Sequence, residues 1–167
     1  MNSRSNRILV LGIGNDIQRD VSIPVRLTED LEDLLDSRNI DFENLYVGGL
    51  ELLEYINGYK GVVFIDTLKT KKGIPGKVHL FREDNYLETL HLSCRHDVSF
   101  RMSLEIGKTL GFKITDKILI IGIEILEDLE FGSLLSNELK CHYPEILAQV
   151  RSHVEEFSRR TLISTSI

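Results

Sequence analysis

Gly61-Val62-Val63-Phe64-Ile65-Asp66 is the stretch that decides the fold. Consecutive apolar side chains from Val62 to Ile65 leave neither face of a strand polar, as in a parallel strand covered by helices on both sides. An aspartate closes the run. The same pattern stands at Arg7–Ile13, where Ile8-Leu9-Val10-Leu11 precede Gly12, and at Lys117–Ile123, where the apolar run Ile118–Ile121 precedes Gly122. Weaker strands are expected at Phe42–Val47, followed by a Gly48-Gly49 turn, and at Lys77–Phe81.

Between these strands the apolar residues recur at helical spacing. Val25, Leu27, Leu31, Leu34 and Leu35 predict a helix from Pro24 to about Arg38, Leu50–Ile56 a short one, and Phe100, Leu104, Ile106, Gly107 and Leu110 one ending at Gly111. A last helix from about Ser136 to Phe157 would bury Leu139, Ile146, Leu147 and Val150. Pro144 is expected to divide it, because a proline removes a helical hydrogen bond and clashes with the preceding turn. Strand and helix alternate throughout, which predicts an α/β fold, a three-layer αβα sandwich around a mostly parallel sheet of about five strands. A chain of 167 residues suits one core. The expectation is therefore one domain over 1–167, with its core at 7–157 and flexible ends at 1–6 and 160–167.

The charge of −6, from 26 acidic and 20 basic residues, offers no attraction to phosphate backbones, so nucleic acid is not an expected partner. Apolar runs such as Ile118–Ile123 fall far short of the roughly 18 residues of a membrane span, and no membrane is expected. The apolar run after Met1–Arg7 is broken by Gly12, Gly14, Asn15 and Asp16, unlike a secretory signal, and a cytoplasmic location is expected. Cys94 and Cys141 lack Cys-x-x-Cys spacing and read as reduced thiols.

In such a sheet ligands bind outside the carboxyl ends of the strands. The residues there are Asn15 and Asp16, Gly48 and Gly49, Asp66, and Glu124, with Ser93-Cys94-Arg95-His96-Asp97 on a further connection. Carboxylate oxygen and imidazole nitrogen together suit zinc, nickel and related ions, so Asp66 and His96 form a candidate pair that needs a third ligand. The alternative for Asp66 is a cap on the following turn, and for His96 a loop hydrogen bond. Gly12 and Gly14 suggest a phosphate turn, but Ile17 stands where G-x-G-x-x-G requires its third glycine. Cys94 near His96 leaves a thiol nucleophile as a weaker alternative. Glu124–Glu130 and Lys69-Thr70-Lys71-Lys72 read as solvated loops, with the alternative that Glu124, at a strand end, orients a ligand or partner.

Taken in order, Ile8–Asn15, Asp20, Gly48-Gly49, Val62–Asp66, the His96 loop and Gly122-Ile123-Glu124 resemble the hydrogenase maturation protease family across about residues 7–157. The resemblance implies a phosphorylase/hydrolase-like three-layer fold and an endopeptidase that removes a C-terminal peptide from the large-subunit precursor of nickel–iron hydrogenase. It implies nickel as the recognition element, carried by that precursor, with no other cofactor. The family's aspartate falls on Asp66 and its histidine on His96. Its motif G-x-G-N-x-x-x-x-D-[DE]-G-x-G here runs from Gly12 to Pro24, with Val21 at the metal-facing acid and Ser22 and Pro24 at the later glycines. Valine has no lone pair for a metal, so Asp20 or Asp16 is the expected stand-in. The resemblance thus places Asp66, His96 and Asp20 at a catalytic and metal-facing site. It also leaves open a non-catalytic relative acting as an interaction or chaperone-like protein.

Overall fold

A computed structural model describes residues 4–36, 38–46, 49–82, 89 and 100–163. Val47, Gly48 and the connection that holds Cys94 and His96 lie outside them. The strands are β1 (Ile8–Ile13), β2 (Ile40–Leu45), β3 (Gly61–Leu68), β4 (Val78–Phe81) and β5 (Ile118–Glu124); the helices are α1 (Ile23–Leu34), α2 (Leu52–Ile56), α3 (Phe100–Thr109) and α4 (Asn137–Ile163). One five-stranded sheet has the order β2-β1-β3-β5-β4. Its first four members run parallel and β4 runs antiparallel at the edge.

Alternation along each strand sorts the apolar residues into two layers. Ile8, Val10, Val63 and Ile65 pack with Ile23, Leu27 and Leu31 of α1 and Leu139, Ile146 and Val150 of α4. Leu9, Leu11, Val62 and Phe64 pack with Leu52, Leu53 and Ile56 of α2 and Phe100 of α3. The Phe64 ring meets Phe100 edge-on at 5.2 Å, which fixes α3 over the sheet centre. Each such fully buried side chain contributes roughly 1.5–3 kcal/mol.

Several boundaries differ from those the sequence suggests: β3 runs past Asp66 to Leu68 and α1 stops at Leu34, short of Arg38. β2 begins at Ile40, because the register pairs Ile8 with Ile40 and because Arg7 holds Asp41 through Nε at 2.8 Å. α4 runs through Pro144 without a break. Leu139 on one side of the proline and Ile146, Val150 and Val154 on the other are buried in the same layer, and Tyr143 donates its hydroxyl to Asp30 at 2.7 Å. Those contacts outweigh a cost of about 3 kcal/mol for an interior proline. The helix also continues past Arg159, where fraying is expected, to Ile163. Thr161 is buried there, and Lys60 donates to the Leu162 carbonyl at 3.0 Å. Among the described residues no helix is long and apolar enough to cross a membrane.

From β1 the chain passes through α1 to β2 on one side, then returns through α2 to β3 on the other. Strand order therefore reverses between β1 and β3, the place where open α/β sheets hold ligands in a crevice beyond the carboxyl ends of the strands.

Candidate active site at the carboxyl edge of the sheet

Gly12 and Gly14 let the chain fold tightly over the end of β1. A Cβ on Gly12 would lie 2.3 Å from Thr28 Oγ1, and one on Gly14 would lie 2.4 Å from the Val21 carbonyl oxygen. The turn is thus filled by the protein's own chain, which accounts for both glycines without a phosphate.

Asp66 lies in the carboxyl-terminal part of β3 beside Gly122 of β5 and is fully buried. Its Oδ1 accepts the Thr67 N–H at 2.7 Å. Thr67 still belongs to β3, so this bond lies within the strand and not in the turn that follows. Strand alternation puts Asp66 on the same face as Phe64 and Leu68, the face covered by α2 and α3. His96 lies outside the described residues; in the sequence it shortly precedes Phe100, the first residue of α3.

In the loop after β1, Asp20 opens a short 3₁₀ turn, Asp20–Ser22. It is buried, and its Oδ1 accepts the Ser136 N–H at 2.7 Å just ahead of α4. Oδ2 carries no hydrogen bond from the described residues. Val21 is 2% exposed and belongs to the apolar layer of Ile23, Ile65 and Ile125. An acid placed there on this backbone would lose hydration against aliphatic carbon. Asp16 is exposed on the same loop. Among the described residues no group of three or more His, Cys, Asp or Glu side chains is arranged to hold a metal ion.

Glu124, which the sequence suggests to be part of a solvated acidic loop, is instead the buried last residue of β5. Its Oε1 accepts the Thr70 N–H at 2.6 Å and its Oε2 stands 3.0 Å from His79 Nε2. Lys69 is also more than a solvated cation, since Nζ meets Asp128 Oδ1 at 2.7 Å and this bond raises its pKa. The loop after β5 joins the loop after β1 in turn. Gln18 bridges to Phe131 and donates to the Asp128 carbonyl at 3.2 Å, and Arg19 pairs with Glu130 at 2.5 Å. Leu129, Phe131 and Leu134 remain exposed along this rim.

A sequence model described as hydrogenase maturation protease matches residues 25–153, well over half of the chain. The chain belongs to the hydrogenase maturation protease family. That match starts after the altered Gly12–Pro24 motif, so the family assignment does not depend on it. The hydrogenase maturating endopeptidase HybD from E. coli is similar with a TM-score of 0.68 and 26% identity, over 90% of this chain and 93% of that one. The [NiFe] hydrogenase maturation protease HycI from Thermococcus kodakarensis KOD1 gives 0.66 and 21% identity, over 95% and 94%. HybD from Thermococcus kodakarensis gives 0.63 and 21%, over 87% and 97%. No curated protein matches the chain. This family member therefore carries the fold of the maturation proteases with Val21 packed into its core.

Proposed function

We propose that this protein recognises a nickel–iron hydrogenase large-subunit precursor and removes its C-terminal peptide. The observation that carries the reading is Asp66, a fully buried carboxylate level with the reversal of strand order. A buried carboxylate at that place is held by hydrogen bonding, including that of Thr67 N–H to Oδ1. Nickel enters with the substrate: the precursor's metal would meet oxygen from Asp66 and Asp20 and nitrogen from His96, a donor set that suits this ion. Asp20 serves through Oδ2, while Oδ1 keeps its bond to Ser136. Cleavage adds water across one peptide bond, forming a carboxylate and releasing an amine. The side chains named here hold the metal-bearing tail so that one bond is presented at the crevice. Exposed Leu129, Phe131 and Leu134 on the rim give a protein partner apolar surface to cover.

Val21 favours a second reading, recognition without cutting, because the position of the family's acid is here part of the apolar core. One experiment separates the two. The protein is mixed with nickel-loaded precursor and the products are weighed by mass spectrometry, with a relative that retains the motif acid as positive control. Release of the peptide supports processing. A bound but intact precursor supports the second reading, and a precursor neither bound nor cut rejects both.

A further inference from the structure

We infer that Glu124 is a positioning residue for Asp66, acting through the loop between β3 and β4; this rests on the proposed role of Asp66 in handling the precursor. Glu124 is 1% exposed, yet it carries a carboxylate. Around it gathers the chain that has just left Asp66. Thr70 donates its N–H to Oε1 at 2.6 Å, and His79 Nε2 lies 3.0 Å from Oε2, with neither of these two atoms in a hydrogen bond. The Glu124 backbone completes the clamp, with Gly76 N–H donating to its carbonyl and its own N–H donating to Lys77, both at 2.9 Å. Ile125 N–H reaches the Leu68 carbonyl at 2.9 Å. Gly73 closes over the carboxylate so tightly that a Cβ there would lie 1.9 Å from Oε1.

The register explains why this loop bears on Asp66. Asp66 of β3, Gly122 of β5 and His79 of β4 stand in one row across the sheet. Gly122 carries no side chain, and Leu68 fills the space above it: a Cβ on Gly122 would lie 2.2 Å from Leu68 Cδ2. Asp66 is thus flanked by residues whose places are set from Leu68 onward by Glu124. An apolar residue at 124 would fill the volume but deprive the Thr70 N–H of its acceptor in this part-buried bond. The same loop continues through Lys69 and Asp128 to Gln18, so the clamp also ties the loop of Asp66 to that of Asp20.

The test compares Glu124→Gln, which keeps an acceptor for Thr70, with Glu124→Ala, which does not. On the protein alone, nuclear magnetic resonance follows the Asp66 carboxyl carbon and the exchange of the Thr70 amide. Glu124→Ala should shift the first and speed the second, and Glu124→Gln should leave both near wild type. With nickel-loaded precursor, Glu124→Ala should lower kcat by about tenfold or more with KM changed far less, and Glu124→Gln should keep kcat within about threefold. Should Glu124→Ala not fold, Gly73→Ala displaces the same carboxylate and should shift the Asp66 resonance likewise. An Asp66 resonance unmoved when Thr70 loses protection overturns the inference, as does unchanged kcat in a wild-type background that cuts. A wild type that neither binds nor cuts the precursor rejects the proposed function instead, and the Asp66 resonance still decides the positioning role.

Discussion

Val21→Glu restores an acid at the position where the maturation protease motif carries one, and the structure says what that costs. Val21 is 2% exposed within the layer of Ile23, Ile65 and Ile125. Exchanging its apolar side chain for a longer, carboxylate-bearing one forfeits roughly 1.5 kcal/mol of apolar burial, the lower end for a buried aliphatic. Leaving the new carboxyl without a hydrogen-bond partner adds about 1–3 kcal/mol. The sum is about 2.5–4.5 kcal/mol, and at 2–4 °C per kcal/mol for a chain of this size Tm should fall by roughly 5–18 °C. Calorimetry of wild type and variant measures the fall, and the cleavage assay on nickel-loaded precursor shows whether activity rises. The expected result is a large drop in Tm with no gain in cleavage. Unchanged Tm together with faster cleavage would refute the placement of Val21 in the core and show that residue 21 faces the crevice.

Other perturbations test separate parts of the account. Asp20→Ala removes the acceptor of the Ser136 N–H and should cost about 0.5–2 kcal/mol in thermal unfolding, while abolishing cleavage as completely as Asp66→Ala; retained activity would exclude Asp20 from the site. Pro144→Ala should stabilise by up to about 3 kcal/mol in denaturant titration, since it restores a helical N–H inside continuous α4, and a loss of stability would mean the proline shapes the packing on Asp30. Tyr59 is pushed up to about 12 by burial and then by its bond to Asp41. Its folded pKa is raised above the unfolded value near 10, so its contribution is whole below about pH 10 and is lost as pH climbs toward 12. Tyr59→Phe should therefore flatten the stability profile in that window, and an unaltered profile would exclude Tyr59 as the cause.

What the chain reveals unaided is what depends on apolar runs and their ends. The runs at Ile8–Leu11, Val62–Ile65 and Ile118–Ile121 are blind to neither face of a sheet, so they mark parallel central strands, and Asp66 at the end of one is legible as a polar exit. The edge strands are harder. β2 and β4 are half covered, and their limits follow from register with β1 and β5, which local sequence does not encode. Pro144 misleads because helix propensity is a local term of about 3 kcal/mol and the buried residues on both sides of it are set by tertiary packing. Glu124 misleads for a related reason. It opens an acidic run that continues through Glu127, Asp128 and Glu130, and only the closure of the β3–β4 loop shows that the first of these acids is enclosed. Gly73 and Gly76, in the loop joining the two strands that flank β5, are a sequence signal that anticipates a close approach of backbone to a side chain.

The most direct measurement of the central claim is the mass of a nickel-loaded large-subunit precursor after incubation with wild-type protein and, in parallel, with Asp66→Ala. The account predicts that wild type releases the C-terminal peptide and that Asp66→Ala leaves the precursor at full mass. A precursor left whole by wild type, under conditions where a relative with the motif acid cuts it, would contradict the claim, as would equal release by both proteins.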